Sequence, residues 1–405
     1  MKFKYLLLSL VLVLVSSCDN DDYELVQVAT PQLMSKSDFR KSVEITPAKS
    51  IKEAGKIYAY KNYIFVNDLN KGIHVIDNSN PENPIAIKYI NIPGNEDISV
   101  KDDYLYADSA IDLLVFDLSD INNISLVERL EDVFDVYNYN IPIEAQETDF
   151  NNVNFETDII VGWTLTTEKR EKNDDMVVDS VVLDFAESAT GTGGSLARFQ
   201  IVDKYLYTVG SSYMTIFNIQ NLSEPVLANT QYSGWNIETM FQADGYLYLG
   251  STNGMYIYSL TNPSLPELIS EFTHWEGCDP VVVDGDFAYL TLRGGNLCGQ
   301  QESVLEVIDI SDKTNPTLQK QYTLDNPYGL GIKGNTLFVC DGTSGLKLFD
   351  KEDPLNIAMI KQFKNIQSKD VIPLEDTLLM IGNNTLYQFV YVENGVKQIS
   401  AYSLN

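Results

Sequence analysis

Apolar and polar residues alternate along this chain in short runs, and the clearest is Tyr246 to Pro263, YLYLGSTNGMYIYSLTNP. Tyr246-Leu247-Tyr248-Leu249 alternates about one apolar face, Asn253-Gly254 reverses the direction, and Met255-Tyr256-Ile257-Tyr258 alternates again. Alternation bounded by Asn-Gly and Asn-Pro is the pattern of a β-hairpin. The tyrosine that opens this unit has counterparts at Tyr63, Tyr104, Tyr205, Phe287, Thr336 and Thr377. The steps 63 to 104, 205 to 246, 246 to 287 and 336 to 377 are each 41 residues, while Phe287 to Thr336 is 49 and Tyr104 to Tyr205 is 101. Taking away one period leaves insertions of about 8 and about 60 residues. A fixed period with four short strands per copy predicts a β-propeller. Helical repeats would need long runs of 3.6-residue periodicity, which the sequence lacks.

Each copy has a second anchor: IHVID (73–77), LLVFD (113–117), MTIFN (214–218), MYIYS (255–259), LEVID (305–309) and LKLFD (346–350). Turns follow at Asn80-Pro81, Ser223-Glu224-Pro225, Asn262-Pro263, Asn315-Pro316 and Asp353-Pro354. Asp, Asn or Ser there can bond the following backbone, and proline blocks continuation of the strand. Another turn, such as Asp102-Asp103 or Asp244-Gly245, joins the first strand of each copy to the second. The expected fold is all-β, a seven-bladed β-propeller of four-stranded antiparallel blades.

The pentapeptides resemble those of the LVIVD-repeat family of bacterial surface lipoproteins. The segments SLARFQIVDKYLYTVG, CDPVVVDGDFAYLTLRGG, NPYGLGIKGNTLFVCDG and DVIPLEDTLLMIG look like successive blades of its larger members. The resemblance runs from roughly Gly55 to the C-terminus. It implies a propeller at the cell envelope with no defined catalytic activity.

The ends and interruptions complete the domain plan. Residues 1–17 carry Lys2 and Lys4, then LLLSLVLVLV, and are expected to be a cleaved export signal, since the apolar run is too short for a stable membrane span. Val15-Ser16-Ser17-Cys18 resembles a bacterial lipobox, which implies that Cys18 is lipidated and anchors the protein to a membrane. An ordinary secretory signal with an incidental cysteine is the competing reading. Residues 18–54 read as an acidic tether and lead-in, beginning DNDDYE. Its acidic start resembles the surface-export signal of Bacteroidetes-type lipoproteins, which implies the outer face of the outer membrane. Val43-Glu44-Ile45 could add an outer strand to the last blade, although VKQISAY (396–402) already supplies one. The propeller takes residues 55–405. Its long insertion, about 135–196, reads as an extended hairpin from blade two, with TDIIVGWTLTTE and MVVDSVVL as the two strands. An eighth blade is the alternative, but the tyrosine and Asp-Pro anchors are missing there.

Charge narrows the partners. With 28 basic and 57 acidic side chains the formal net charge is −29, a surface that repels phosphate backbones and argues against nucleic acid. Cys278 and Cys298 bracket one enlarged loop, and an exported protein meets an oxidising compartment, so a disulfide between them is expected; the reduced form is the alternative. Cys340, inside Leu337-Phe338-Val339-Cys340, reads as a buried thiol. His74 and His274 lie in different blades and no CxxC occurs, which argues against a zinc site.

In a propeller the first strand of each blade lines the central channel. The lead-ins to those strands carry Glu96, Asp97, Arg198, Glu238, Asp279, Tyr328 and Asp370, an acidic mouth once the ring is closed. Such carboxylates could hold a calcium ion, although no DxDxDG loop is present, or sugar hydroxyls, or simply face water and loop amides. No nucleophile–base pair stands out. Trp235 and Trp275, beside this mouth, are candidate sugar platforms; strand tyrosines are expected to pack between blades instead. The function expected is that of a cell-surface binding or scaffold module for a protein or glycan. The rivals are an envelope hydrolase using the mouth carboxylates and a structural accessory to a larger envelope complex.

Overall fold

The computed structural model describes residues 23–51, 53–134, 141–171, 195–196, 198–252, 254–273, 280–294 and 302–405. They are almost entirely β, with one short α-helix, Lys36–Lys41, among them. The chain divides into two compact units: residues up to Asp38 with Tyr139–Leu183, and Phe39–Asn138 with Asp184–Asn405.

The larger unit repeats one motif. Four consecutive antiparallel strands form a meander, and seven such sheets occur among the described residues. Their second strands open at Tyr63, Tyr104, Tyr205, Tyr246, Phe287, Thr336 and Thr377, the residues that set the sequence register. The reversal before each is tight and often left-handed, with positive φ at Lys61, Asp102, Asp103, Asp203 and Asp244, as twist-matched hairpin turns require. The residue ending each pentapeptide closes the next turn. Asp77, Asp117, Asn218, Asp309 and Asp350 each accept a hydrogen bond from the amide two residues on, at 2.8–2.9 Å.

Every outer strand carries a β-bulge against its neighbour, at the same place in all seven sheets. A bulge twists an exposed edge away from regular pairing and makes it a poorer template for a further strand, although the first sheet's edge still accepts a short one, Glu44–Pro47. Apolar residues of the middle strands fill the spaces between sheets, and the second-strand aromatics Phe65, Tyr106, Tyr207, Tyr248, Tyr289 and Phe338 are fully buried there. Tyr106 and Tyr207 donate their hydroxyls to Leu222 O (2.8 Å) and Pro263 O (2.7 Å), carbonyls in the turns of the following sheets. At these two positions the ring fills the gap and the hydroxyl ties two sheets together, whereas the equivalent Tyr248 hydroxyl is buried without a partner.

The innermost strands touch in sequence: Ala54–Tyr60, Ile98–Lys101, Phe199–Val202, Ile237–Ala243, Val281–Asp284, Leu330–Lys333 and Asp370–Pro373, the last returning to the first. Closure of this cycle uses no exchanged strand. Ile57, Ile64 and Ile76 pack with Ile372, Leu379 and Leu386, the amides of Asn78 and Gln388 bond reciprocally, and Ile51 N donates to Leu404 O at 2.7 Å. Val43-Glu44-Ile45 could have added an outer strand to the last blade, a closure that VKQISAY made unnecessary. Strand Glu44–Pro47 pairs instead with Ile85–Asn91 of the first sheet, because Gly395–Ser403 already occupies the outer position of the last.

In the smaller unit, Tyr23–Ser35 pairs antiparallel with Asp158–Glu171 and, on its other edge, parallel with Glu147–Thr148. One expectation changes. Much of the stretch taken as a tether is a 13-residue strand, and TDIIVGWTLTTE pairs with it. Its anticipated hairpin partner, MVVDSVVL, lies outside the described residues. The physical reason is register: long segments of matching length saturate each other's backbone along a shared edge, a pairing that local hairpin signals cannot announce.

Candidate functional site

The residue seven positions before each opening residue occupies one layer of the ring: Lys56, Asp97, Arg198, Thr239, Pro280, Gly329 and Asp370. Four consecutive members around the cycle, Asp370, Lys56, Asp97 and Arg198, alternate in charge. The other three are uncharged.

Asp97 is the centre of this arc. Its Oδ2 accepts the backbone N–H groups of Arg198 (2.7 Å) and Phe199 (3.1 Å), and its Oδ1 that of Ile98 (2.7 Å). The Lys56 ammonium lies 3.1 Å from Oδ2, at ion-pair distance but outside hydrogen-bond geometry. Lys56 is only 2% exposed. Burial disfavours both charged forms, holding Lys56 below the usual ammonium range and Asp97 above the usual carboxylate range, while the mutual attraction opposes each shift. The Arg198 guanidinium bonds Glu96. Behind them, Asp108 Oδ1 gathers the amides of Glu96 (2.8 Å) and Asp97 (3.0 Å) and the Asn95 side chain (2.7 Å). Part of the Asp108 surface remains exposed, yet its carboxylate is enclosed, and burial with Glu96 nearby pushes it up to about 7.

Asp370 differs. Its Oδ1 accepts from Val371 N at 2.9 Å, but its Oδ2 is buried without a hydrogen-bond partner. Burial pushes it up to about 7, against the pull of the Val371 amide and of Lys56. Gly329 is needed beside it, since a Cβ there would stand 2.5 Å from Asp370 Oδ1. Ser368 Oγ, nearby in the chain, is also buried without a partner. The Cys340 thiol is buried, as expected of that strand, and is pushed up by burial and by Asp370. Over this end of the ring, Ser195 Oγ accepts the Leu330 amide at 2.8 Å. Ser195 leads into the third sheet and Leu330 opens the sixth, so the lead-in crosses the cycle.

Of the predicted mouth, Glu96, Asp97, Arg198 and Asp370 therefore come together, but in the interior. Glu238 is half-buried on the fourth inner strand. Tyr328 stacks under the Arg293 guanidinium at 4.3 Å and donates its amide to Cys340 O at 2.7 Å. Trp235 is 58% exposed, with its backbone N–H toward the Tyr256 hydroxyl at 3.4 Å. Cys18, Trp275, Cys278, Asp279 and Cys298 lie outside the described residues. Among the described residues no three His, Cys, Asp or Glu side chains are grouped to hold a metal ion. The buried arc does not fit the calcium considered from sequence, because Lys56 and Arg198 already place positive charge among the carboxylates.

Lys56 and Asp108 were missed by the sequence reading. The 41-residue register would have found Lys56, which stands at the same offset as Asp97, Arg198 and Asp370. Nothing marks Asp108, whose role depends on amides folded around it. Away from the inner strands another buried acid, Asp112, was also missed. Arg40 forks onto it through Nε to Oδ2 (2.8 Å) and Nη2 to Oδ1 (2.9 Å), and Arg129 Nη1 adds a third bond at 2.8 Å.

The LVIVD repeat pattern matches residues 52–91, 95–132 and 278–324, which are the first, second and fifth meanders. The chain carries three LVIVD repeats. No curated protein sequence matches it. Among solved structures, a periplasmic gluconolactonase of Pseudomonas aeruginosa is 9% identical over 89% of this chain and 96% of its own, with a TM-score of 0.54. A protein from Lactobacillus plantarum is 10% identical over 86% and 98%, with a TM-score of 0.53. At such identities the likeness is one of fold. With the LVIVD repeats and the meanders, it makes the chain a β-propeller.

Proposed function

We propose that this LVIVD-repeat chain is a seven-bladed propeller, held at the cell envelope by a lipid on Cys18, that serves as a binding or scaffold module for a protein or glycan. The closed cycle of inner strands supports the blade number, and the leader sequence supports the anchor. One observation carries the choice of binding over hydrolysis: the carboxylates Glu96 and Asp97, which a glycan hydrolase of this design would present to substrate, are turned into ion pairs and amide contacts inside the ring. A general acid and its partner must reach the scissile bond. A partner would then meet the outer surface, where Trp235, Leu227, Leu268 and Met359 are exposed. The gluconolactonase named above shares the fold, and its activity is not carried over.

The experiment has two arms. Purified protein is incubated with envelope glycans, and cells making the wild type or Cys18→Ala are cross-linked and fractionated. The reading expects no bond cleavage, a partner retained by the wild type, and release of Cys18→Ala from membranes. Glycan cleavage abolished by Glu96→Gln would establish the hydrolase instead. Tight membrane association of Cys18→Ala in detergent phase partitioning would remove the anchor.

A further inference from the structure

Lys56 stands between two acids. On one side is Asp97, 3.1 Å away; on the other, the inner strand beginning at Asp370 packs against the strand that carries Lys56. The charges do not balance. Glu96, Asp97, Asp108 and Asp370 supply four carboxylates, whereas Lys56 and Arg198 supply two cations, and Arg198 is committed to Glu96. Burial weakens screening of the excess by water, so a proton or a rearranged cation lowers its cost.

We propose that Lys56 is a shared cation and Asp370 a proton-operated competitor for it, so that the segment crossing the ring at Ser195 is clasped when Asp370 is neutral and loosened when Asp370 ionises. The unpartnered Oδ2 of Asp370 is the atom with no hydrogen bond to lose, and burial already favours its neutral form. While it is neutral, Lys56 stays with Asp97, whose Oδ2 holds the Arg198 and Phe199 amides. Ionised, Asp370 draws Lys56 toward itself. Asp97 is then a buried anion with its cation weakened, and hydration through opening of the Arg198 lead-in relieves that cost. The other groups facing this switch are Lys369 on its own lead-in, Cys340 and Asp341 from the sixth sheet, and Asp108 behind Asp97. The thiol stays neutral, and Asp341 is engaged by Lys347 at 2.5 Å. Asp370 is therefore the acid on this side free to change its charge.

Amide hydrogen exchange of the full chain, expressed as protection relative to the intrinsic rate at each pH, tests the clasp. From about pH 4.5 to 7, protection of the Arg198, Phe199 and Leu330 amides should fall by up to about tenfold per pH unit, and level off above it, as release of one proton dictates. Asp370→Asn should flatten that profile at these amides. Wild-type protection that does not change with pH, which needs no variant to measure, overturns the proposal. An unchanged slope in Asp370→Asn overturns it equally.

Discussion

Asp112 and Asp370 are both shut away from solvent, at 1% and 0% exposure, yet the fold treats them in opposite ways. Asp112 has every lone-pair direction in use: two arginines grip it, and Asp132 N adds a bond to Oδ1 at 2.9 Å. Arg40 continues outward to Glu131 at 2.7 Å and Asp132 at 3.0 Å, so its charge is shared over a partly exposed network. Asp370 has one amide for two oxygens. A buried carboxylate with two guanidinium partners is a rivet, because removing any part strands a charge. One with an empty oxygen beside a lysine already engaged elsewhere is a group whose charge state the surroundings leave undecided. Burial alone does not distinguish structural from responsive acids; the count of donors does.

The contrast is easiest to break at Asp112. Asp112→Ala leaves Arg40 and Arg129 facing a buried gap and should lower unfolding free energy by about 3–5 kcal/mol in urea titrations. A loss below about 1 kcal/mol would mean that the arginines find other partners and that the site is no rivet.

Asp370 should show its difference as a pH profile. Its folded pKa lies above the ordinary 3.8, so between about pH 4 and pH 7 the folded chain keeps a proton that the unfolded chain has released. Its contribution is therefore fully present in acid, declines as pH rises through that window, and is gone above it. Asp370→Asn should match the wild type near pH 4.5 and exceed it near pH 8, by about 1–3 kcal/mol. Equal urea midpoints for the two proteins at pH 8 would count against an unsatisfied buried charge.

The smallest effect sharpens the geometry of the rivet. Arg40→Lys keeps the charge but loses the planar fork on Asp112, and should cost about 1 kcal/mol, read as a modest fall in thermal midpoint. No change would show that charge alone, without the bidentate contact, suffices.

Much of this architecture was legible in the one-dimensional pattern. The 41-residue register, the residue that opens each unit and the Asx turns locate the second strands, because hairpins depend on neighbours a few residues apart. The same register puts Asp97, Arg198 and Asp370 on one layer, and applied once more it reaches Lys56. Other features depended on partners that the chain meets only after folding. Strand Glu44–Pro47 went to the first sheet since the last was already complete. Tyr23–Ser35 found Asp158–Glu171 across more than a hundred residues. Above all, the acids near the inner strands were evident as acids, but whether they open to a ligand or turn inward rests on Ser195 reaching Leu330 and on Lys56 standing between Asp97 and Asp370. Periodicity determines which residues share a layer; the donors and cations brought beside each one, from distant parts of the chain, determine its charge and its use.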